Sequence, residues 1–440
     1  MEIVIQICFI IGLSVRFWLF KTNFPAWLSS RVEISTPLTS WKRMMEGVFL
    51  TRENISPYSG DLFHETPLML KFSNVMLGIF GQSDYLVFLA IDAITGVLLM
   101  KIAKLFARYL LQKQSNDVDT YSKDAAPILL KAENLKKLQV FIVAVHFLNP
   151  YSIGVCLARS TGIIHNFLIL LAFYWTAKAN MILSTFCLAM ATYECFYPVV
   201  LCVPAALYFY QYDCYQKKNT DSNTTSSSPY FIKTFILFVF WLSLLFSISF
   251  MLQDSLQFFN SIYGFIFTVP DLTPNIGVFW YFFTEMFEHF RVFFLFVFQI
   301  NAIVYTVPLA IRFKEQPLFL MYILTFLTGV FKSYPSYSDV ALFLCLLPLW
   351  KHLFPYLRNS FIVTCMFITS TIFSPLLWHL WLYAGSANAN FYFAITLVFT
   401  TAEIFLVTDL LYANLRWEFD LNHGLNYKLE NGKECQAVLE

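Results

Sequence analysis

Long apolar segments dominate the chain and limit the folds that it can adopt. A helix needs about 20 apolar residues to cross the hydrocarbon of a bilayer. Eight segments fit that length clearly: 3–20, 85–106, 138–157, 162–177, 233–252, 291–311, 360–380 and 391–412. Four more are shorter or broken: 181–194, 196–210, 317–331 and 340–354. The run 180–210 is too long for one upright helix and contains Pro198 and Pro204, so we divide it. The prediction is an all-α, polytopic membrane protein with about 12 transmembrane helices, and roughly 10 or 11 are the alternatives.

Composition supports a membrane protein and excludes several other classes. Only 13% of the 440 residues are charged and 58% are hydrophobic, whereas soluble chains carry about 25% charged residues. The 29 basic and 28 acidic residues balance, so we expect no nucleic-acid partner. Nine cysteines are scattered, with no CxxC and no Cys/His cluster, which argues against a disulfide framework and a zinc site. We therefore expect no metal and no cofactor.

Lysine and arginine residues set the predicted orientation, because they are enriched in cytoplasmic loops. With about 12 helices, the basic segment 101–137 shares a side with Lys314, Arg358 and Arg416. Residues 1–440 then form a single multi-span membrane domain with both termini in the cytosol. The predicted cytosolic parts are the basic loops 101–137 and 211–232 and the tail 413–440. The predicted luminal loops are 21–66, 253–290, 332–339 and 381–390.

Four acidic residues fall within or near apolar segments: Asp92, Glu194, Glu403 and Asp409. A charge at the bilayer centre costs about 2.5–3.5 kcal/mol on insertion scales, so such groups face protein or a cavity. A proton or ion relay is one interpretation, and interhelical hydrogen bonding is the other. The four acids are spread over three segments with few embedded bases, so we favour hydrogen bonding over transport.

The stretch 56–68, SPYSGDLFHETPL, brings an aspartate, a histidine and a glutamate within five positions. A metal site needs three or more converging ligands, and neither HExxH nor a second histidine lies nearby. Thr66 before Pro67 fits a helix N-cap followed by proline at the first helical position. We interpret the stretch as a luminal turn that leads into a helix, without a catalytic role.

Six long motifs of polar and aromatic residues follow one another along the chain. They are RVEISTPLTSWKRMMEGVFL (31–50), ISPYSGDLFHETPLML (55–70), LNPYSIGVCLARSTGIIHN (148–166), YGFIFTVPDLTPNIGVFWYFFTEMFEHF (263–290), FKSYPSYSDVALFLCLLPLW (331–350) and WHLWLYAGSANANFYFAITL (378–397). Together they resemble the PIG-U family, the polytopic subunit of the GPI transamidase complex of the endoplasmic reticulum. The resemblance runs nearly end to end, and the loops 111–137 and 212–232 and the C-terminal tail fall outside it.

The resemblance implies a non-catalytic subunit in the membrane of the endoplasmic reticulum. Such a subunit binds the GPI lipid anchor and presents it for attachment to the C-terminus of precursor proteins. The implied partners are the other transamidase subunits, including a cysteine-protease-like catalytic subunit, together with the GPI lipid and membrane phospholipids.

The resemblance also implies a fold similar to the GT-C glycosyltransferase-like membrane fold, and this supplies the alternative function. The alternative is a mannosyltransferase of the endoplasmic reticulum that acts on a lipid-linked sugar. Such enzymes resemble one another in an Asp-x-Asp or Asp-Glu motif in the first luminal loop, where a carboxylate takes the proton of the attacking hydroxyl. Loop 21–66 has no such pair among its acids, which are Glu33, Glu46, Glu53, Asp61 and Glu65. The only Asp-x-Asp, Asp117-Val-Asp119, lies on a loop predicted to be cytosolic, so we expect no enzyme.

The segment 378–393, WHLWLYAGSANANFYF, contains the candidate GPI-binding residues Asn388 and Asn390. Their amides can bond sugar hydroxyls and phosphate oxygens, and they lie on one side if the chain is extended there. Composition alone favours an ordinary turn, and the resemblance favours a lipid site.

Three lysines, Lys217, Lys218 and Lys314, are candidates for binding anionic lipid headgroups on the cytosolic side. The alternative for these lysines is a charge that only sets topology.

Overall fold

The computed structural model describes residues 2–218 and 227–425, without the side chains of residues 216–218. Within these residues the chain forms helices and no β-strand, which confirms the all-α prediction for this part of the molecule.

The α-helices are numbered in chain order. The first ten are α1 (Glu2–Phe20), α2 (Phe24–Ser29), α3 (Trp41–Arg52), α4 (Pro67–Phe80), α5 (Tyr85–Asp117), α6 (Ala132–Leu148), α7 (Pro150–Leu157), α8 (Gly162–Ala177), α9 (Met181–Glu194) and α10 (Cys202–Lys218). The others are α11 (Ser228–Gln253), α12 (Gln257–Phe259), α13 (Phe265–Thr268), α14 (Phe279–Glu285), α15 (Arg291–Asn301), α16 (Thr306–Arg312), α17 (Pro317–Phe331), α18 (Tyr337–Leu346), α19 (Ser360–Leu382) and α20 (Ala389–His423). Short 3₁₀ segments cover Pro57–Ser59, Gly81–Ser83, Val118–Thr120, Lys123–Ile128, Tyr197–Leu201, Glu288–Phe290 and Leu347–Tyr356, and Asn260–Gly264 is a π-turn.

Each segment predicted to span the membrane coincides with helical structure. In the described part of the chain, seven helices are long and apolar enough to cross a bilayer, and the bent pair α6–α7 makes an eighth. The helices α8, α9 and α17 are apolar but shorter. The polytopic architecture is therefore confirmed, and the count of about 12 spans stays a prediction.

Two helices continue far beyond their predicted spans. Helix α5 runs to Asp117 and α20 to His423, whereas hydropathy ends these spans at residues 106 and 412. At 1.5 Å per residue, the 33 residues of α5 extend about 50 Å, which exceeds the roughly 30 Å of hydrocarbon. Hydropathy predicts where a helix leaves the hydrocarbon. Polar residues that favour helix formation can continue the same helix beyond that point. The predicted loop 101–137 and tail 413–440 therefore both begin as helix.

Other spans are interrupted, and proline explains the clearest case. The pair α6–α7 bends by 51° at Asn149–Pro150, where Pro150 takes the first helical position and the Asn149 side chain accepts from the Tyr151 N–H at 3.0 Å. Proline lacks a backbone N–H, so it starts a new helix and does not continue the old one.

Helix α17 forms the centre of the bundle, and several others form its periphery. Every residue from Pro317 to Val330 is buried, and a helix that is apolar on all sides belongs in a core. In contrast, α15 has no buried residue and α19 has only three, Val363, Ser370 and Ser374. These outer helices present phenylalanine and isoleucine to the outside, as expected for surfaces that face lipid.

The first predicted luminal loop, 21–66, is folded into the body of the protein. It contains α2 and α3, and it leads into α4, an apolar helix of 14 residues that the span prediction did not include. The predicted N-cap is confirmed, because the Thr66 hydroxyl accepts from the Met69 N–H and Pro67 takes the first helical position. The loop therefore positions side chains and is more than a connection.

The four segments predicted to be luminal contact one another at one end of the bundle. The Tyr337 N–H donates to the Glu33 carbonyl at 2.8 Å, and the Arg43 guanidinium pairs with Asp271 at 2.9 Å. A third link joins the second segment to the last, because the Tyr281 hydroxyl donates to the Asn390 side-chain oxygen. The Tyr392 hydroxyl, two residues after the last segment, donates to Glu33. We call this end the luminal rim. Its sidedness rests on the charge pattern and stays a prediction.

Candidate functional site

The candidate residues Asn388 and Asn390 lie at the turn between α19 and α20 on the luminal rim. Asn388 is the N-cap of α20, and its side-chain oxygen accepts from the Asn390 N–H at 3.0 Å. The chain is helical from Ala389, so the extended arrangement considered for the two amides does not occur. Gly385 makes the preceding turn possible with a φ of +63°, in the left-handed region that favours glycine. Both asparagine side chains are exposed.

Asn390 is joined to a second segment of the luminal rim. The Tyr281 hydroxyl, on α14, donates to the Asn390 side-chain oxygen, and the Tyr281 ring stacks on Phe393 with 4.3 Å between centroids. Since the oxygen is the bonded atom, the amide nitrogen of Asn390 points its donors elsewhere. These two contacts join loop 253–290 to the start of α20, where Asn388 and Asn390 form an exposed polar edge.

Aromatic rings form a wall beside this edge. Trp378 lies 5.2 Å from Tyr392 and 5.6 Å from Trp381 between centroids, and Trp280 lies 6.0 Å from Tyr392. Such separations suit edge-to-face and tilted ring pairs. Tyr392 is fully buried, while Trp378 and Trp381 are half-buried. Tryptophan and tyrosine in such a position match the interfacial belt of membrane proteins.

A buried ion pair packs against the aromatic wall. Arg31 binds Glu33 through two hydrogen bonds, at 2.6 Å from Nη2 and 3.1 Å from Nε. The Tyr392 hydroxyl donates to the same carboxylate at 3.0 Å. The Arg31 guanidinium also lies 5.6 Å from the Trp378 ring centre, within cation–π range. Glu33 thus binds both Arg31 and Tyr392. These two residues in turn contact Trp378 of the aromatic wall.

Sequence reasoning did not identify this ion pair. It counted Glu33 as one of several separate acids in loop 21–66, although Arg31 stands only two positions before it. The contact with Tyr392 spans 359 positions of the chain, and no spacing rule predicts such a contact.

The stretch 56–68 buries His64 and Glu65 and leaves Asp61 exposed. The His64 ring stacks on Phe265 at 3.5 Å, and its two nitrogens lie 2.7 Å and 3.1 Å from the carbonyls of Ser261 and Asp61. Burial lowers the pKa of His64, despite those backbone bonds. A buried imidazole that stacks on a ring and lies against two backbone carbonyls has a structural role here. The interpretation as a turn leading into a helix fits this geometry.

Glu65, next in the chain, has a hydrogen-bond partner different from those of His64. The Thr161 hydroxyl donates to its carboxylate at 2.6 Å. Burial raises the pKa of Glu65 to about 8, the Glu194 carboxylate adds to the rise, and the Thr161 bond opposes it. Among the described residues, no group of three or more His, Cys, Asp or Glu is arranged to hold a metal ion.

Among the four acids at depth, Asp92 is the clearest case of an embedded charge with a partner. It lies 2.8 Å from the Arg16 Nε and 3.3 Å from the His146 Nε2. Arg16 is fully buried and also donates to the Phe147 carbonyl at 2.9 Å. The expectation of few embedded bases therefore missed Arg16, which pairs with Asp92 between α1 and α5. This cluster ties three helices together.

Two of the other three acids at depth accept hydrogen bonds. Glu194 accepts from the Thr66 hydroxyl at 2.8 Å. Asp409 accepts from the backbone N–H groups of Arg358 and Asn359 at 2.9–3.0 Å. Glu403 is buried within α20. The hydrogen-bonding interpretation fits these contacts.

The lysine candidates are only partly described. Helix α10 reaches Lys218, but the side chains of Lys217 and Lys218 lie outside the described residues. Lys314 is exposed in the short turn between α16 and α17.

Comparison with known proteins gives a consistent result across the chain. The family model described as "GPI transamidase subunit PIG-U" matches residues 10–399. The chain is 42% identical to the human "GPI-anchor transamidase component PIGU" over 438 residues, which is 98% of each chain. It is 41% identical to the Cricetulus griseus protein of the same name, again over 98% of each. The "GPI transamidase component GAB1" of Saccharomyces cerevisiae is 31% identical over 405 residues, 92% of each chain.

Proposed function

The chain belongs to the PIG-U family of GPI transamidase subunits, and from that premise we propose that it binds the GPI lipid anchor and presents it to a separate catalytic subunit. The proposal places it in the membrane of the endoplasmic reticulum, where the other transamidase subunits and the lipid anchor are its partners. The new bond to the precursor protein would then be made elsewhere in the complex. The chain's own contribution is recognition and orientation of the lipid.

The observation that carries this proposal is the exposed polar edge beside the aromatic wall. A GPI molecule combines acyl chains with a phosphoinositol and a glycan, so its receptor needs an apolar surface next to hydrogen-bonding groups. Asn388 and Asn390 offer amides at the end of α19, whose outer face is apolar and exposed. Trp378 and Trp381 are of the residue type that is enriched at the headgroup level of membranes.

The alternative, a mannosyltransferase, has no support. The relatives above are named as transamidase components. Within the first loop, Glu33 is bonded to Arg31 and Glu65 to Thr161, so neither is a free base near the luminal surface.

The test compares variants in cells that lack their own copy of this subunit. Surface display of a GPI-anchored reporter is measured beside co-purification of the other subunits. Asn388→Ala removes both the amide and the helix cap, whereas Asn388→Ser keeps an oxygen that can cap α20. Asn390→Ala is paired with Tyr281→Phe, which removes the hydrogen bond to Asn390 but keeps the ring that stacks on Phe393.

If the amides recognise the anchor, Asn388→Ser and Asn390→Ala both reduce display while the complex stays intact, and Tyr281→Phe has a smaller effect. Normal display from Asn388→Ser combined with Asn390→Ala would exclude these amides as an essential site. Loss of the complex in Asn388→Ala alone would assign Asn388 to capping the helix.

A further inference from the structure

A cavity of about 220 Å³ lies between α5, α8 and α10, at the end of the bundle opposite the luminal rim. Arg108 and Gln112 line it from α5, Lys178 from the turn after α8, and Tyr208, Gln211 and Tyr212 from α10. We call it the basic cavity. Binding sites for drug-sized ligands measure about 300–1,000 Å³, so this cavity suits a headgroup and is too small for a large cofactor.

The charges around the basic cavity are of one sign. Its lining includes two cations, Arg108 and Lys178, and no carboxylate. Neither cation forms an ion pair in the described part of the chain. Lys178 is held by aromatic rings, since its ammonium lies 4.8 Å from the Tyr174 centroid and 5.2 Å from that of Trp175. Two cations without a counter-charge at the edge of a membrane favour an anionic ligand.

The polar groups of the cavity fall into two sets. The groups of the first set form hydrogen bonds within the protein. The Tyr109 hydroxyl donates to the Gln211 side-chain oxygen at 3.1 Å, and the Tyr208 hydroxyl donates to the Ala177 carbonyl at 3.0 Å. The second set is Gln112 and Tyr212, whose side chains have no hydrogen-bond partner among the described residues. The hydrogen bonds of the first set hold the cavity walls in place, and the side chains of Gln112 and Tyr212 can donate to a ligand.

A neighbouring cavity of about 210 Å³ shares Tyr109 but has the opposite chemistry. Its lining includes three carboxylates, Asp117, Glu315 and Glu418, and the single cation Lys113. The Lys113 ammonium already donates to the Glu315 carbonyl at 2.7 Å. We call this one the acidic cavity. An anion is therefore expected in the basic cavity and not in the acidic one.

We propose that the basic cavity binds a phosphate-bearing anion, the headgroup of an anionic phospholipid at this membrane surface. Arg108 and Lys178 bind the phosphate, and Tyr212 and Gln112 donate to its oxygens or to headgroup hydroxyls. Tyrosine-rich walls at a helix end match the depth at which headgroups lie. This site is made of residues other than Lys217, Lys218 and Lys314.

The test titrates the full chain, purified in detergent with its partner subunits retained. The probes are short-chain phosphatidylinositol, short-chain phosphatidylcholine and inorganic phosphate, and the readout is the apparent Kd from microscale thermophoresis. The variant is Arg108→Gln/Lys178→Gln. The matched control is Lys136→Gln/Lys137→Gln, which removes two exposed cations from the start of α6, outside the cavity. Tyr212→Phe removes one hydroxyl without changing charge and keeps the test informative if the double variant fails to assemble.

We expect phosphatidylinositol to bind and phosphatidylcholine not to bind. The double variant should weaken phosphatidylinositol binding about tenfold or more, in line with two cations near an anionic group. The control pair should leave the affinity unchanged, and Tyr212→Phe should weaken it by a smaller factor. Inorganic phosphate binding as tightly as the lipid would support the site with a soluble phosphate as its ligand. Equal affinity in wild type and double variant would overturn the proposal, and so would an equal loss in the control pair.

Discussion

At the luminal rim, Arg31 and Glu33 form an ion pair with 9% and 2% of their side chains exposed, whereas at the opposite end Arg312 and Glu418 form a pair with 52% and 28% exposed. The rim contains further enclosed pairs, such as Lys332 with Asp339 at 2.7 Å. At the opposite end, the exposed cations Arg108 and Lys178 line a cavity. The same charged residue types therefore have different roles at the two ends, because burial differs. A buried pair stabilises the structure, whereas an exposed pair remains accessible to solvent and lipid.

Breaking the buried pair is the strongest way to test this difference. Glu33→Ala leaves the Arg31 guanidinium buried without its carboxylate and removes the acceptor of Tyr392. Removing one partner of a buried pair costs about 3–5 kcal/mol. We expect a large loss of chain abundance and of co-purified subunits. Abundance is measured by immunoblot and assembly by affinity purification.

Glu46→Ala is the control for this variant. Glu46 is exposed on α3, in the same predicted loop, so its removal changes the net charge equally without leaving a buried cation. Equal abundance of the Glu33 and Glu46 variants would show that burial at the rim does not set the energy of the pair.

A pH titration sharpens the comparison at a second buried group. Burial, with the Glu194 charge, raises the pKa of Glu65 to about 8, from an ordinary value of 4.5. The folded protein then binds this proton more tightly than the unfolded protein does. The stabilisation is complete below about pH 4.5 and is lost as the pH rises towards 8. One unit of pKa difference corresponds to about 1.4 kcal/mol, so the expected loss is of that order or larger.

The variant Glu65→Gln isolates this effect, because the amide oxygen still accepts from Thr161 but does not titrate. Thermal stability of the purified complex is measured between pH 5 and pH 8. We expect a smaller fall in stability across this range for the variant than for the wild type. Identical slopes would mean that Glu65 is ionised in the folded protein throughout.

Sequence alone predicted the helical framework well, and the reason is physical. The length of an apolar segment can be read directly from the sequence, so the predicted spans coincide with helices in the structure. The ends of α5 and α20 were set too early, because the helix continues in polar residues that hydropathy excludes. Helix α4 was missed because Lys71, Ser73 and Asn74 interrupt its short apolar sequence. The N-cap at Thr66 was predicted correctly, since capping depends on a few adjacent residues.

The candidate site was less accessible to sequence reasoning. Asn388 and Asn390 were chosen on the resemblance, and their role in binding stays a prediction. The contact from Glu33 to Tyr392 beside the site joins residues far apart in the chain, as does the contact from Arg16 to Asp92 within the bundle. Local periodicity and spacing contain no information on which distant segments meet, so such pairs become visible only in the fold.

The smallest expected effect belongs to the exposed pair at the end opposite the rim. Arg312→Gln removes the 3.3 Å contact with Glu418, and exposed pairs contribute about 0–1 kcal/mol, which salt reduces further. We expect chain abundance and thermal stability within error of the wild type, measured in parallel with Glu33→Ala. A loss comparable to that of Glu33→Ala would contradict the comparison, because Glu418 would then be held as firmly as Glu33. A small loss that disappears in high salt would fit a solvated pair, and would leave this end of the bundle free to exchange its partners for lipid headgroups.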